Sequence, residues 1–172
     1  MTPEHATHLI APFILITEVD DGRAFAGHIF QRKFRESAPD FPHHIVAFYR
    51  HAEDHLVPLS YVHFTPWRDR LMLAGGGCTD GRGFALMSDE QRALVTAAGG
   101  LLAQTQLFGF RKFADACDAF GGYCGDARAS QVHESVGYAP TAHPHLIVKW
   151  HKPLSDERRE QIVRELHAVG PF

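Results

Sequence analysis

The 172-residue sequence is poor in cysteine, and none of its three, Cys78, Cys117 and Cys124, has the close C-x-x-C spacing of zinc ribbons or thiol redox motifs. An odd number of scattered thiols argues against a disulfide framework and fits a reducing, cytoplasmic setting. Basic charge is also scarce. Seventeen Lys and Arg against 20 Asp and Glu give a net charge of -3 with histidine neutral. That excludes the broad cationic surface needed for non-specific binding of nucleic acid or of an anionic membrane. Long apolar runs are missing as well. LIAPFILI, residues 9–16, has no basic segment before it and is far shorter than the roughly 20 residues of a membrane span, so it reads as a core segment. No internal repeat, low-complexity tract or linker divides the chain, which implies one domain over residues 1–172. With 45% hydrophobic and 22% charged residues, that domain can bury a core of its own.

What is plentiful is histidine, with 13 residues scattered over the chain. Each has an unperturbed pKa of about 6.5, so acid would turn the chain cationic.

Asp20 and Asp21 can cap a helix from about Arg23 to Ser37, with Phe25, Ile29, Phe30 and Phe34 toward the core. APDFP breaks it. HHIVAFYR, PLSYVHFTPW and RLMLAGGG, separated by turn signals, predict neighbouring strands, so that a sheet begins mid-chain. Ser88 and Gln91 have capping-box spacing at the head of a short helix that Gly99 closes. GLLAQTQLFGFRKFADA predicts a second helix opening at the glycine pair, with Gly109 a place where it bends. A strand near AFGGYC, a capped helix, a strand in HPHLIVKWH and a last helix from Asp156 to Val169 follow. This order is mixed α/β or α+β, and neither a Rossmann series nor a TIM barrel.

In GDARASQVHESVGY, Asp126 is a natural N-cap, Ala129, Val132 and Val136 form an inner stripe, and Gly137 supplies a left-handed stop. The pattern resembles the late helix of the GNAT acyltransferase superfamily, Asn-x-x-Ala-x-x-Leu-Tyr-Glu-x-x-Gly-Phe. Asp126 stands at the asparagine position, Ala129 at the alanine, Val132 at the leucine, His133 at the tyrosine, Glu134 at the glutamate, and Gly137-Tyr138 at the closing pair. The resemblance extends more weakly over the last two thirds of the chain. It implies a GNAT-like α/β fold with a mixed, centrally splayed sheet flanked by helices, and transfer of an acetyl or similar acyl group from coenzyme A to a small amine. Acetyl-CoA or another acyl-CoA is then the co-substrate.

The residues that the resemblance singles out follow from that chemistry. His133 stands where the family places the acid that reprotonates the departing thiolate, and an imidazolium can donate near neutral pH. Asp126 takes the position that in the family lies close to the cofactor. Gly99, Gly100, Leu101 and Leu102 open the helix whose first N–H groups would hold the pyrophosphate. Gly75, Gly76 and Gly77 would let the pantetheine arm approach the strand, with Cys78 beside them. Residues 79–98 are an insertion relative to the family, either a lid or a structural elaboration, and Gly81, Arg82 and Gly83 within it offer an alternative anion cradle.

Amine acylation also needs a base. Asp80 follows the GGGC strand end and is the first candidate; Glu53, Asp54 and His55 are others. Cys78 reads either as an exposed nucleophilic thiol or as a small buried hydrophobe. Phe48, Tyr49, Tyr61 and Trp67 read as walls of an acceptor site or as core. Two other functions compete: a non-catalytic module of the same fold that binds acyl-CoA or a partner, and a metal-binding protein built from histidines such as His51 and His55 or His143 and His145. No specific metal site is assigned. A homodimer is the default assembly.

Overall fold

The structure is a computed structural model that describes Pro3 and residues 5–172. Among the described residues seven strands form one sheet. In chain order the elements are α1 (Thr7–Ile10), β1 (Ile14–Val19), α2 (Gly22–Phe34), β2 (His43–Ala52), β3 (His55–Trp67), β4 (Leu71–Thr79), α3 (Asp89–Ala97), α4 (Leu101–Lys112), β5 (Ala119–Tyr123), α5 (Ala127–Ser135), β6 (Ala139–Pro140), β7 (Leu146–Trp150) and α6 (Asp156–Val169). The strands lie in the order β1-β2-β3-β4-β5-β7-β6. Only β4 and β5 pair in parallel; every other neighbouring pair is antiparallel.

Strand alternation sends side chains to two covered faces. Val46, Phe48, Tyr61 and Cys78 meet Ala26, Ile29 and Phe30 of α2 on one face. On the same face toward β5 and β7, Leu71, Leu73 and Val148 pack with Ile162 and Leu166 of α6. Ile45, Val62, Phe64 and Met72 turn the other way, onto Leu107 and Phe110 of α4.

Local capping agrees with the sequence. Asp21 accepts from the Ala24 N–H, Ser88 and Gln91 complete a capping box, and Asp126 accepts from the Arg128 and Ala129 N–H groups. Two expectations are corrected. The sheet starts with β1, not mid-chain, because Ile14–Val19 pairs with β2. The inner side of α2 is Gly22, Ala26, Ile29 and Phe30, whereas Phe25 and Phe34 are 46% and 38% exposed; Arg35 stops this helix in the left-handed region. Helix α4 runs through Gly109 as the sequence predicts, and the glycine is what lets helix and sheet approach, since a Cβ there would stand 2.2 Å from the Phe64 ring.

Candidate active-site groove

Strands β4 and β5 are in register only from Leu71 with Ala119 to Ala74 with Gly122. Beyond that point β4 continues against β3 alone, and its partner register slips between Tyr61 with Cys78 and His63 with Gly75, so that β4 carries one extra residue. Gly76, at φ 63°, makes this bulge. The β5-facing edge of Gly75, Gly76 and Gly77 therefore has no strand partner, and the sheet is splayed at its centre.

A groove of ≈ 670 Å³ enters this gap. Its floor is the β4 edge from Gly75 to Thr79; one wall is the opening of α4 from Gly99 to Leu102, and the other is α5 with Asp126, Arg128, Val132 and His133. Lys33 and Phe34 at the end of α2 border its mouth. The sequence-predicted residues Gly76, Gly77, Cys78, Gly99, Gly100, Leu101, Leu102, Asp126 and His133 are thus brought together around one cleft. The fold is GNAT-like. The parallel central pair that parts, the glycine-opened helix ahead of β5 and the capped helix after it are the features which the resemblance implies.

Comparison with known proteins adds the following. No family model and no curated protein matches the chain. Among solved structures, it is similar to a Lactobacillus plantarum protein described as an N-acetyltransferase, 21% identical with TM-score 0.47 over 81% of this chain and 99% of that one. An apo nucleotide-linked sugar GNAT is 9% identical with TM-score 0.49, covering 90% and 94%. The ribosomal-protein-S18-alanine N-acetyltransferase of Escherichia coli is 11% identical with TM-score 0.46, covering 83% and 97%.

Within this groove the hydrogen bonding reassigns several residues. The Gly99 and Gly100 N–H groups bond the Thr96 and Val95 carbonyls at 3.0 and 2.9 Å. They close α3, and their positive φ angles of 83° and 90° make the turn; they are not the anion donors. Among the described residues, the N–H groups of Leu101, Leu102 and Ala103 have no acceptor and Gly100 supplies no side-chain cap, so the free positive end of α4 is theirs. Asp126 spends its carboxylate on the first N–H groups of α5 and on Lys33, 3.4 Å away. Those N–H bonds, that of Ala129 foremost, and the Lys33 ammonium hold it below the usual carboxylate range.

His133 is half-buried, and burial lowers its pKa. The neutral ring, not the imidazolium, is its form at neutral pH. The amide of Gln106 lies 2.8 Å from His133 Nδ1 and donates to it from Nε2, which leaves the ring N–H on Nε2. Gln106 itself is buried, lines the groove, and has an Oε1 without a partner.

Asp80 stands just outside the groove lining. It pairs with Arg32 and accepts from the Arg82 N–H, capping a 3-10 turn over Gly81–Leu86. Burial would raise its pKa, but the bonds from Arg32 and Arg82 outweigh it and keep the carboxylate ionised. A carboxylate so held is a poor base, which speaks against the catalytic role. The Arg82 and Gly83 N–H groups both bond Asp80, so the GRG turn is no open anion cradle. Cys78 is 3% exposed, and burial pushes its thiol up to about 12; it is a buried hydrophobe lining the groove, not a nucleophile.

Glu53, Asp54 and His55 are exposed at the β2–β3 turn. Phe48, Tyr49 and Tyr61 are core. The 79–98 insertion packs Met87 and Val95 against Ile10, Leu59 and Leu101 as a wall with its own core. Among the described residues no group of three His, Cys, Asp or Glu is placed to hold a metal ion, and His143 instead stacks on His167 at 3.7 Å.

Gln106, Lys33 and Arg128 are groove residues that the sequence reading missed. Gln106 carried a signal, a polar side chain on the inner stripe of an apolar helix, while the two cations lie on solvent-facing helix ends and carried none.

Proposed function

We propose that the chain is an acyl-CoA-dependent N-acyltransferase, a divergent GNAT protein, acting on an amine. The observation that carries this is the coincidence, in one groove, of a glycine-bulged strand edge and a helix start whose N–H groups, among the described residues, have no partner. A diphosphate needs such donors at the positive end of a helix, and Leu101, Leu102 and Ala103 would hold it. An amide-bearing pantetheine arm needs exposed backbone N–H and C=O groups along an extended path, and the β4 edge at Gly75–Gly77 offers them. The buried, unpartnered Oε1 of Gln106 fits an N–H donor of that arm.

His133 acts in its neutral form. Its Nε2–H donates to the sulfur as charge develops there, and the thiolate takes its proton from solvent in the open groove. Lys33, joined to Asp126 across the mouth, links α2 to α5. Acetyl is the acyl group expected, and a small primary amine the acceptor.

Calorimetry with acetyl-CoA tests binding, and amide chemical shifts of Leu101, Leu102 and Ala103 locate it. Binding that leaves those three amides unmoved would refute the diphosphate assignment. Thiol release with a panel of primary amines tests turnover. A binding module without turnover is the second reading, favoured by one observation: the carboxylates nearest the groove, Asp80 and Asp126, are both committed to caps and ion pairs. Binding without thiol release would establish it.

A further inference from the structure

Neighbouring glycines of β4 face opposite sides of the sheet. A Cβ on Gly77 would meet Leu102 of α4, whereas one on Gly75 would meet His63 and the Phe172 carbonyl, and one on Gly76 would meet His63 and Phe30 of α2. The gap between β4 and β5 therefore opens to both faces. On the α4 and α5 side lie the first N–H groups of α4 and the pair of Gln106 and His133, the ground that the acyl-CoA of the reading above would occupy. The α2 and α6 side remains, and aromatic rings converge on it.

Three elements supply those rings. Phe34 ends α2 and packs on Phe30 at 4.6 Å. Tyr123 ends β5. Phe172 follows α6, which Gly170 closes at φ 85°. The Phe172 ring stands edge-on to Tyr123, with centroids 5.2 Å apart, and reaches to 3.3 Å from where a Cβ on Gly121 would stand. Its carbonyl oxygen is 3.0 Å from the equivalent point on Gly75, so glycines on both strands make room for this segment. Phe64 and Phe120 are fully buried in the core, but Phe34, Tyr123 and Phe172 all line the groove and stay partly exposed to it. Aromatic walls of this kind take flat apolar bodies, face on or edge on. The charges bordering the groove narrow the choice. Among the described residues Asp126 is the one carboxylate in its lining, already committed to Lys33 and to the first N–H groups of α5, while Lys33 and Arg128 are cations. A second ammonium on the acceptor would find no counter-charge there.

Resting on the acyl-transfer reading above, we propose that Phe172, with Tyr123 and Phe34, is the specificity wall of an acceptor pocket on the α2 and α6 side of the gap, and that the acceptor is a primary monoamine on a flat, uncharged aromatic body. Phe172 sets the size of the pocket. Phe34 and Tyr123 are fixed by a helix and a strand, whereas Phe172 is carried by the short segment beyond Gly170 and lies over the glycines that floor the gap.

Two readouts test this. With coenzyme A bound, 2-phenylethylamine should shift the ring resonances of Tyr123 and Phe172 in NMR spectra, a measurement that needs no turnover. With acetyl-CoA, kcat/KM for 2-phenylethylamine should exceed that for spermidine and that for phenylalanine by at least about tenfold. Phe172→Ala should raise KM for 2-phenylethylamine by about tenfold and leave kcat and the calorimetric affinity for acetyl-CoA within about twofold, because the wall holds the acceptor equally before and during reaction. Phe172→Leu, which keeps apolar bulk over Gly121, should recover most of that KM. A protein that binds no acetyl-CoA removes the acyl-transfer reading and the pocket with it. Where acetyl-CoA binds, rings of Tyr123 and Phe172 that 2-phenylethylamine leaves unmoved, or a ranking headed by spermidine or phenylalanine, overturn the acceptor pocket alone.

Discussion

Gly77 and His133 show how single residues shape the groove. A Cβ on Gly77 would lie 3.1 Å from Leu102 Cδ1, in the space between the β4 edge and the start of α4. Gly77→Val should therefore fill the floor and weaken coenzyme A binding by at least about tenfold, or ~1.4 kcal/mol, in calorimetry. Its effect on thermal unfolding should be small, because the groove is open. His133→Phe removes the donor to the departing sulfur while keeping a ring against Tyr138, 5.4 Å away. It should lower kcat by about tenfold with acetyl-CoA affinity preserved, as expected for an interaction made mainly in the transition state. Gln106→Leu should shift the His133 tautomer, visible by nitrogen NMR, since the amide that donates to Nδ1 is gone.

At the level of elements, two helices put opposing effects in competition. Alanine at Gly109 would gain up to about 1 kcal/mol of helix propensity. It would also drive a methyl into Phe64, a fully buried ring wedged against Phe110, Phe113 and Phe120, and overpacking costs about 1–3 kcal/mol. The clash wins, so Gly109→Ala should lower the melting temperature. Ser88→Ala removes a capping box and should cost about 1 kcal/mol by denaturant titration. The two cases also mark what was legible. Ser88, Asp126 and the span of α6 were readable because caps are local hydrogen bonds between near neighbours in sequence. The reason for a glycine inside α4 was not, because Gly109 answers to Phe64, 45 residues away in the chain. The inner face of α2 was misread for a related reason: Phe25 and Phe34 are apolar but stay partly exposed, Phe25 edge-on against Phe48 and Phe34 at the groove, while Ala26 and Phe30 are the residues buried against the sheet.

For the molecule as a whole, buried neutral histidines couple stability to pH. His63 titrates near 6.5 when unfolded and at about 3 when folded, and burial lowers His44 and His133 as well. The unfolded state thus binds more protons in acid, and stability falls as pH drops from about 6.5 toward 3, by up to about 1.4 kcal/mol per pH unit for a fully buried ring. The urea midpoint should be lower at pH 5 than at pH 7, and His63→Gln should make that dependence shallower even though it lowers stability at pH 7.

By itself the sequence determined most of the elements and their order, α1, β1 and β6 excepted, since periodicity, caps and turn residues act within a few positions. Through the family resemblance of the stretch from Asp126 to Tyr138 it also pointed to one wall of the groove. Only the tertiary structure decided which backbone donors are free, because Gly99 and Gly100 are claimed by the end of α3 while the next three residues are not. It alone set Arg32 beside Asp80, which makes that carboxylate a poor base, and brought His44, Tyr61 and His63 together. Such pairings depend on strand register and on helices docked across the sheet, which fix distances that no local pattern encodes.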